Sequence, residues 1–164
     1  MTEVQQRMRA IFAARDRANM QPTIDAFLDV LSEHPDEPEV LYEVGGAYDT
    51  DGQEKTAAEY YERALAGVLE PETLRKCYLQ YGSTLRNLGR IDESIAIFSV
   101  ARTAYPNSVS LGVFEVLTLH AQGKRDAALA SALTLLVDHV ETDEVKRYET
   151  SIRANAHYLR NLEE

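Results

Sequence analysis

The chain has 164 residues, and 45% of them are apolar, which is enough to form one compact domain or one short repeat array. Its formal net charge of −10 argues against DNA and anionic membrane surfaces as partners, because both attract a cationic protein face. No apolar run reaches membrane-spanning length, and the N-terminal segment is charged throughout, so neither a spanning helix nor a signal peptide is predicted.

Helical periodicity runs along the whole chain, because apolar and small residues recur three or four positions apart. Pro22 and Pro71 suit the first turn of a helix, where the missing N–H has no intrahelical partner. The pattern predicts eight helices in four antiparallel pairs. They span residues 3–18, 22–33, 38–50, 53–66, 71–88, 91–104, 108–121 and 124–139.

A ninth helix is predicted over residues 142–162, with Asp143 as its N-cap. Apolar residues at helical spacing give this segment one apolar stripe, which predicts that one face packs against the preceding helix. The stripe consists of Val145, Tyr148, Ile152, Ala156 and Leu159.

The clearest helix pair lies between Tyr78 and Pro106. Gly89 separates its two helices, and each of them carries one apolar face. The first face consists of Tyr78, Tyr81, Gly82 and Leu85, and the second of Ile91, Ser94, Ile95, Phe98 and Ala101.

The features of this pair recur elsewhere in the chain. Counted from Gly82, small or closing residues follow at offsets of 7, 12, 16, 19 and 24, ending at Pro106. The same offsets from Gly45 reach similar residues, and weaker copies start at Ile11 and Val116. The four starting points are 34, 37 and 34 residues apart, which indicates a repeat of about 34 residues.

These residues resemble the tetratricopeptide repeat (TPR) family, whose pattern has an aromatic residue, Leu-Gly, Tyr, and later Ala, Phe or Tyr, Ala and Pro. In the second copy the resemblance is carried by Leu41, Val44, Gly45, Tyr48, Gly52, Ala57, Tyr61 and Ala64. In the third copy it is carried by Tyr78, Tyr81, Gly82, Leu85, Gly89, Ser94, Phe98, Ala101 and Pro106.

The resemblance implies an all-α fold, a right-handed α-solenoid of about four antiparallel helix pairs with a C-terminal capping helix. Residues 1–164 would then form a single domain. Its repeats would span residues 4–36, 38–70, 75–107 and 109–141, and the capping helix residues 142–162. Small residues such as Gly45 and Gly82 are expected where two helices approach closely.

In similar proteins the first helix of each pair lines a concave groove, and this resemblance implies the candidate site. Several of its residues are cationic in an otherwise acidic chain, with aromatic residues among them. The candidate peptide-binding residues are Arg9, Phe12, Arg15, Tyr42, Lys76, Gln80, Ser83, Arg86, Asn87, Phe114 and Arg147. This lining suits an extended peptide with an acidic or carboxylate group and one or two apolar anchors.

Two alternatives bear on this site. The cationic residues can instead be ordinary solvated side chains on amphipathic helices. A carboxylate clamp like that of heat-shock co-chaperones is not predicted, because among the positions that would form it only Lys76 agrees.

No catalytic constellation, metal site or cofactor is predicted. The four histidines have no ligand-like spacing, and Gly45-Gly46 is not followed by the residues of a phosphate-binding loop. Cys77 is the only cysteine, so it cannot form an internal disulfide, and it is interpreted as a structural thiol in a reducing cytoplasm.

The sequence therefore predicts a cytoplasmic, non-enzymatic adaptor that binds a peptide or protein segment in its groove, either as a monomer or as a weak homodimer. The alternative is a self-assembling structural protein that dimerises through the C-terminal helix or a terminal repeat. Neither nucleic acid nor a membrane is an expected partner.

Overall fold

A computed structural model describes residues 2–162, and within them the fold consists of nine α-helices. The helices are α1 Glu3–Ala14, α2 Gln21–Glu33, α3 Pro38–Thr50, α4 Glu54–Leu65, α5 Pro71–Asn87, α6 Ile91–Ala104, α7 Val109–Ala121, α8 Arg125–His139 and α9 Asp143–Arg160. The predicted all-α fold class is confirmed. No helix within the described residues is both long enough and apolar enough to cross a membrane.

The helices form two compact units, one that ends at Leu88 and one that begins at Gly89. The first unit contains α1 to α5, and the second contains α6 to α9. Their boundary therefore falls between the two helices of the third predicted repeat. The single domain over residues 1–164 stays a prediction, and its residues 1, 163 and 164 lie outside the described residues.

The core of the first unit includes the ring of Tyr61 on α4, which has no exposed surface. Gly45 on α3 permits this packing, since a Cβ atom added there would lie 2.8 Å from the Tyr61 ring. The Tyr61 hydroxyl donates a hydrogen bond to Asp49 Oδ2 at 3.3 Å, and Asp49 Oδ1 lies 3.4 Å from Thr84 Oγ1 on α5. The predicted close approach at Gly45 is confirmed, and it ties α3, α4 and α5 together.

The second unit packs largely through small residues. A Cβ atom added to Gly112 on α7 would lie 2.6 Å from the end of the Leu135 side chain on α8. Ala156 of α9 is buried, and Arg153 of α9 forms an ion pair with Asp138 of α8 at 2.8 Å. The ninth helix thus packs against the eighth, as its apolar stripe predicts. The exception within the stripe is Tyr148, which is 53% exposed.

Most helix ends lie within one or two residues of the prediction, whereas the end of α1 and the N-cap of α9 differ in ways that the structure explains. Helix α1 ends at Ala14 rather than at residue 18, because Arg15 has an extended backbone and Asp16 Oδ1 accepts the N–H of Ala18 in a local turn. Helix α9 is capped by Thr142 rather than by Asp143, since the Thr142 side chain accepts the N–H of Val145. The turn glycines Gly52 and Gly89 have φ values of 79° and 75°, which only glycine adopts readily.

Candidate peptide-binding groove

An open groove with a volume of about 910 Å³ lies across α1, α3 and α5 of the first unit. Each helix contributes residues three or four positions apart, which lie on one helix face. Helix α1 contributes Met8, Arg9 and Phe12, helix α3 contributes Glu39, Tyr42 and Glu43, and helix α5 contributes Lys76, Leu79 and Gln80. We refer to it as the α1–α3–α5 groove.

A smaller recess of about 130 Å³ adjoins this groove and shares Phe12, Tyr42, Glu43 and Gln80 with it. Arg15, at the end of α1, lines the recess. Tyr42, Glu43 and Gln80 face both spaces, and we call these three residues the groove floor. Tyr42 is buried, and Glu43 and Gln80 are partly buried.

Six of the predicted site residues lie together in this region. Five of them line the groove, namely Arg9, Phe12, Tyr42, Lys76 and Gln80, and Arg15 lines the recess. The others do not line these two spaces. Ser83, Arg86 and Asn87 lie further along α5, and Phe114 and Arg147 belong to the second unit. Asn87 Nδ2 donates a hydrogen bond to Glu54 Oε1 on α4 at 2.8 Å, which joins two helices.

The cations around the groove differ in their partners. The Arg15 guanidinium lies 3.7 Å from the centre of the Phe12 ring and donates to the Phe12 carbonyl oxygen at 2.6 Å. Lys76 Nζ lies 3.6 Å from a Glu72 oxygen. Arg9 is exposed, and within residues 2–162 its side chain forms no ion pair and no hydrogen bond. Arg9 is therefore a cation that a ligand in the groove can reach without displacing a partner.

The resemblance places Glu43 on the face that lines the groove, but Glu43 is not among the candidate peptide-binding residues predicted from the sequence. Within the described residues its side chain has no hydrogen bond and no ion pair. Burial and the nearby Glu39 carboxylate raise the pKa of Glu43 to about 7, although Lys76 and Arg15 lower it. The signal for it in the sequence is the position of Glu39 and Glu43 four residues apart on the predicted inward face, but a solvated pair gives the same pattern.

The other two floor residues also hold polar atoms without partners. The Tyr42 side chain is only 9% exposed, and within residues 2–162 its hydroxyl makes no hydrogen bond. Burial, and next the Glu43 charge, raise the pKa of Tyr42 above its ordinary value. The side-chain oxygen of Gln80 is buried and lacks a hydrogen-bond partner in the described part of the chain. The groove thus combines the exposed cation of Arg9, apolar side chains, and a floor whose polar groups make no hydrogen bonds within the described residues.

The described residues contain no group of three or more side chains that could hold a metal ion. Burial raises the pKa of the Cys77 thiol to about 12, so the thiol stays protonated at neutral pH and is a poor nucleophile.

Comparisons with known proteins identify the repeat. The chain matches the family model described as Tetratrico peptide repeat over residues 38–159. It resembles a crystal structure of MamA protein with a TM-score of 0.69 and 17% identity, over 91% of this chain and 76% of that chain. A second MamA crystal structure gives a TM-score of 0.68 and 17% identity, over 97% of this chain and 91% of that chain.

TTC0263, a thermophilic TPR protein in Thermus thermophilus, gives a TM-score of 0.64 and 20% identity, over 95% of this chain and 87% of that chain. At these identities the similarity to solved structures supports the fold alone. A comparison with curated proteins finds no match.

Proposed function

Because the chain belongs to the tetratricopeptide repeat family, we propose that it is a non-enzymatic interaction module that binds a peptide or protein segment in the α1–α3–α5 groove. The observation that carries this proposal is the groove itself. Its volume of about 910 Å³ is at the upper end of ordinary ligand sites, and it is open along three helices. An extended segment fits such a space better than a small metabolite does.

The lining supports a particular kind of segment. Met8, Phe12 and Leu79 offer an apolar surface for one or two anchor side chains, and Phe12 is 48% exposed. Arg9 offers a cation without a partner in the described part of the chain, which suits an acidic side chain or a terminal carboxylate. The proposed ligand therefore carries an apolar anchor and an acidic group near Arg9.

The test uses the full chain and a library of random short peptides displayed on phage. We expect the selection to yield peptides whose binding falls about tenfold or more in Leu79→Arg, since the longer side chain would occupy the groove. The matched control is Leu129→Arg, because Leu129 is an exposed leucine on α8, outside the groove lining. If every selected peptide binds Leu79→Arg as well as the unchanged chain, the groove is not the binding site.

The acidic group has its own test with the same peptides. We expect Arg9→Glu to weaken binding several-fold, whereas Lys55→Glu changes the net charge equally at an exposed position on α4 outside the groove lining. Equal effects of the two substitutions would mean that the peptides sense only the net charge of the protein.

A second candidate function is self-assembly through the C-terminal helix. The observation in its favour is the exposed surface of α9, where Tyr148 is 53% exposed and Tyr158 is 63% exposed. Tyrosine is enriched at protein interfaces because it combines a large apolar ring with a polar hydroxyl. Light scattering over a range of protein concentrations tests this candidate, and a constant monomer mass at high concentration would exclude it.

The cytoplasm is the proposed location. The buried thiol of Cys77 supports it, because a free structural cysteine is typical of a reducing compartment.

A further inference from the structure

The groove floor contains three polar groups, and all three can accept a hydrogen bond. They are the Glu43 carboxyl group, the Tyr42 hydroxyl and the side-chain oxygen of Gln80. Within the described residues, none of these three side-chain groups makes a hydrogen bond. Buried polar atoms are normally paired, because burying an unpaired polar group costs free energy. These three come from two helices, α3 and α5, and they line the same open space.

The protein's own cations do not form an ion pair with Glu43 within residues 2–162. Lys76 pairs with Glu72, as does Arg75, which also lines the groove, and the Arg15 guanidinium lies on the Phe12 ring. The acidic neighbour Glu39 accepts the backbone N–H of Glu70 at 3.0 Å, and within the described residues it makes no hydrogen bond with Glu43. When it is ionised, the Glu43 carboxylate in the groove floor is therefore not in direct contact with a cation of the described chain.

We propose that the groove floor binds the cationic side chain of an arginine or lysine in the bound segment, paired with the Glu43 carboxylate. This inference rests on the proposed function. Arginine fits better than lysine, because a guanidinium presents five N–H donors in one plane. Two of them can bind Glu43, while others reach the oxygen of Tyr42 or Gln80. The aliphatic stem then packs against Met8, Phe12 and Leu79 on the groove walls.

This assignment makes binding depend on pH. The groups that act on Glu43 are Glu39 on its own helix, Lys76 on α5 and Arg15 at the end of α1. With these neighbours and its burial, the pKa of Glu43 is about 7 in the free protein. Binding of a cation needs the ionised carboxylate, so affinity rises as the pH rises through 7 and levels off above it. Between pH 6 and pH 8 the expected gain is about tenfold.

The experiment starts from the peptides that bind the full chain and are weakened by Leu79→Arg. We expect these peptides to share an arginine, and replacing it with citrulline, which is neutral and nearly the same shape, should weaken binding about tenfold. Glu43→Gln should weaken the arginine peptide by a similar factor but leave the citrulline peptide unchanged. In Glu43→Gln the increase in affinity between pH 6 and pH 8 should also disappear.

Glu59→Gln is the matched control, because Glu59 is exposed on α4 and its substitution removes the same charge outside the groove lining. Two results overturn this inference and leave the proposed function intact. In the first, the peptides weakened by Leu79→Arg lack a basic residue. In the second, those peptides bind Glu43→Gln as tightly as they bind the unchanged chain. A selection without any peptide sensitive to Leu79→Arg overturns both.

Discussion

The two compact units differ in what they bury and in what they expose. The first unit buries large aromatic side chains, with Tyr61 and Phe27 at 0% and 1% exposure. The second unit buries one large ring, Phe98, together with many small residues, among them Ala101, Ala128, Ala130 and Ala156. Small residues let helices approach closely but remove little apolar area from water, and apolar area buried is the main source of stability.

The exposed surfaces follow the same division. Most of the large apolar side chains that stay exposed belong to the second unit. They include Val100, Val109, Val113, Leu117, Leu129, Leu136, Tyr148 and Tyr158. The first unit instead has a groove whose floor is polar. One repeat pattern can therefore use its aromatic positions to build a core beside a polar site, or leave apolar residues exposed on its helices.

The largest expected effect is the loss of the aromatic core of the first unit. Tyr61→Ala should lower the free energy of unfolding by about 3–5 kcal/mol, because it removes a fully buried ring and leaves a cavity. Tyr61→Phe is the control, since it keeps the ring and loses only the hydrogen bond to Asp49, at about 1 kcal/mol. Urea unfolding followed by circular dichroism measures both. A cost for Tyr61→Ala no larger than that of Tyr61→Phe would contradict the central role of the ring.

The polar groove floor of the first unit should make the free energy of unfolding depend on pH. The pKa of Glu43 rises from 4.5 to about 7 on folding, so between these pH values the folded state binds more protons than the unfolded state. Stability therefore falls as the pH rises through this window, by up to about 3 kcal/mol from this group. We expect Glu43→Gln to reduce the decline between pH 4.5 and pH 7.5 in urea unfolding. An unchanged pH profile in this variant would show that Glu43 is well solvated.

The close helix contacts of the two units should respond differently to an added methyl group. In Gly45→Ala the methyl group meets the rigid Tyr61 ring, and we expect a loss of about 1–3 kcal/mol. In Gly112→Ala it meets the flexible end of Leu135, and the gain in helix propensity of about 1 kcal/mol offsets much of the strain. Hydrogen exchange measured separately in each unit distinguishes the two effects. Equal losses of protection would mean that both contacts adjust equally well.

The smallest expected effect concerns the exposed apolar surface of the second unit. Tyr158→Ser should change the free energy of unfolding by about 0.5 kcal/mol or less, because the side chain is 63% exposed. A loss that grows with protein concentration would instead show that Tyr158 is covered by a second copy, which is the self-assembly alternative. Urea unfolding at two protein concentrations makes this distinction.

Much of the site could be predicted from helical spacing together with the family resemblance. Five of the candidate residues line the groove, and their role in peptide binding stays a prediction: Arg9, Phe12, Tyr42, Lys76 and Gln80. The role of Asn87 could not be predicted, because its partner Glu54 lies 33 positions away in the sequence. The same reason applies to Tyr148, since a helical stripe predicts a face but not the part of that face which the neighbouring helix covers.

The positions of the helices in the described residues, the turn glycines such as Gly89 and the small residue at Gly45 follow from the sequence alone, because they depend on local spacing and backbone preference. The tertiary structure was needed to see that the chain forms two compact units and that Glu43 is a partly buried carboxyl group without a partner in the described part of the chain. The pKa and the hydrogen bonds of a side chain depend on desolvation by neighbouring helices, and residues far apart in the sequence supply that environment.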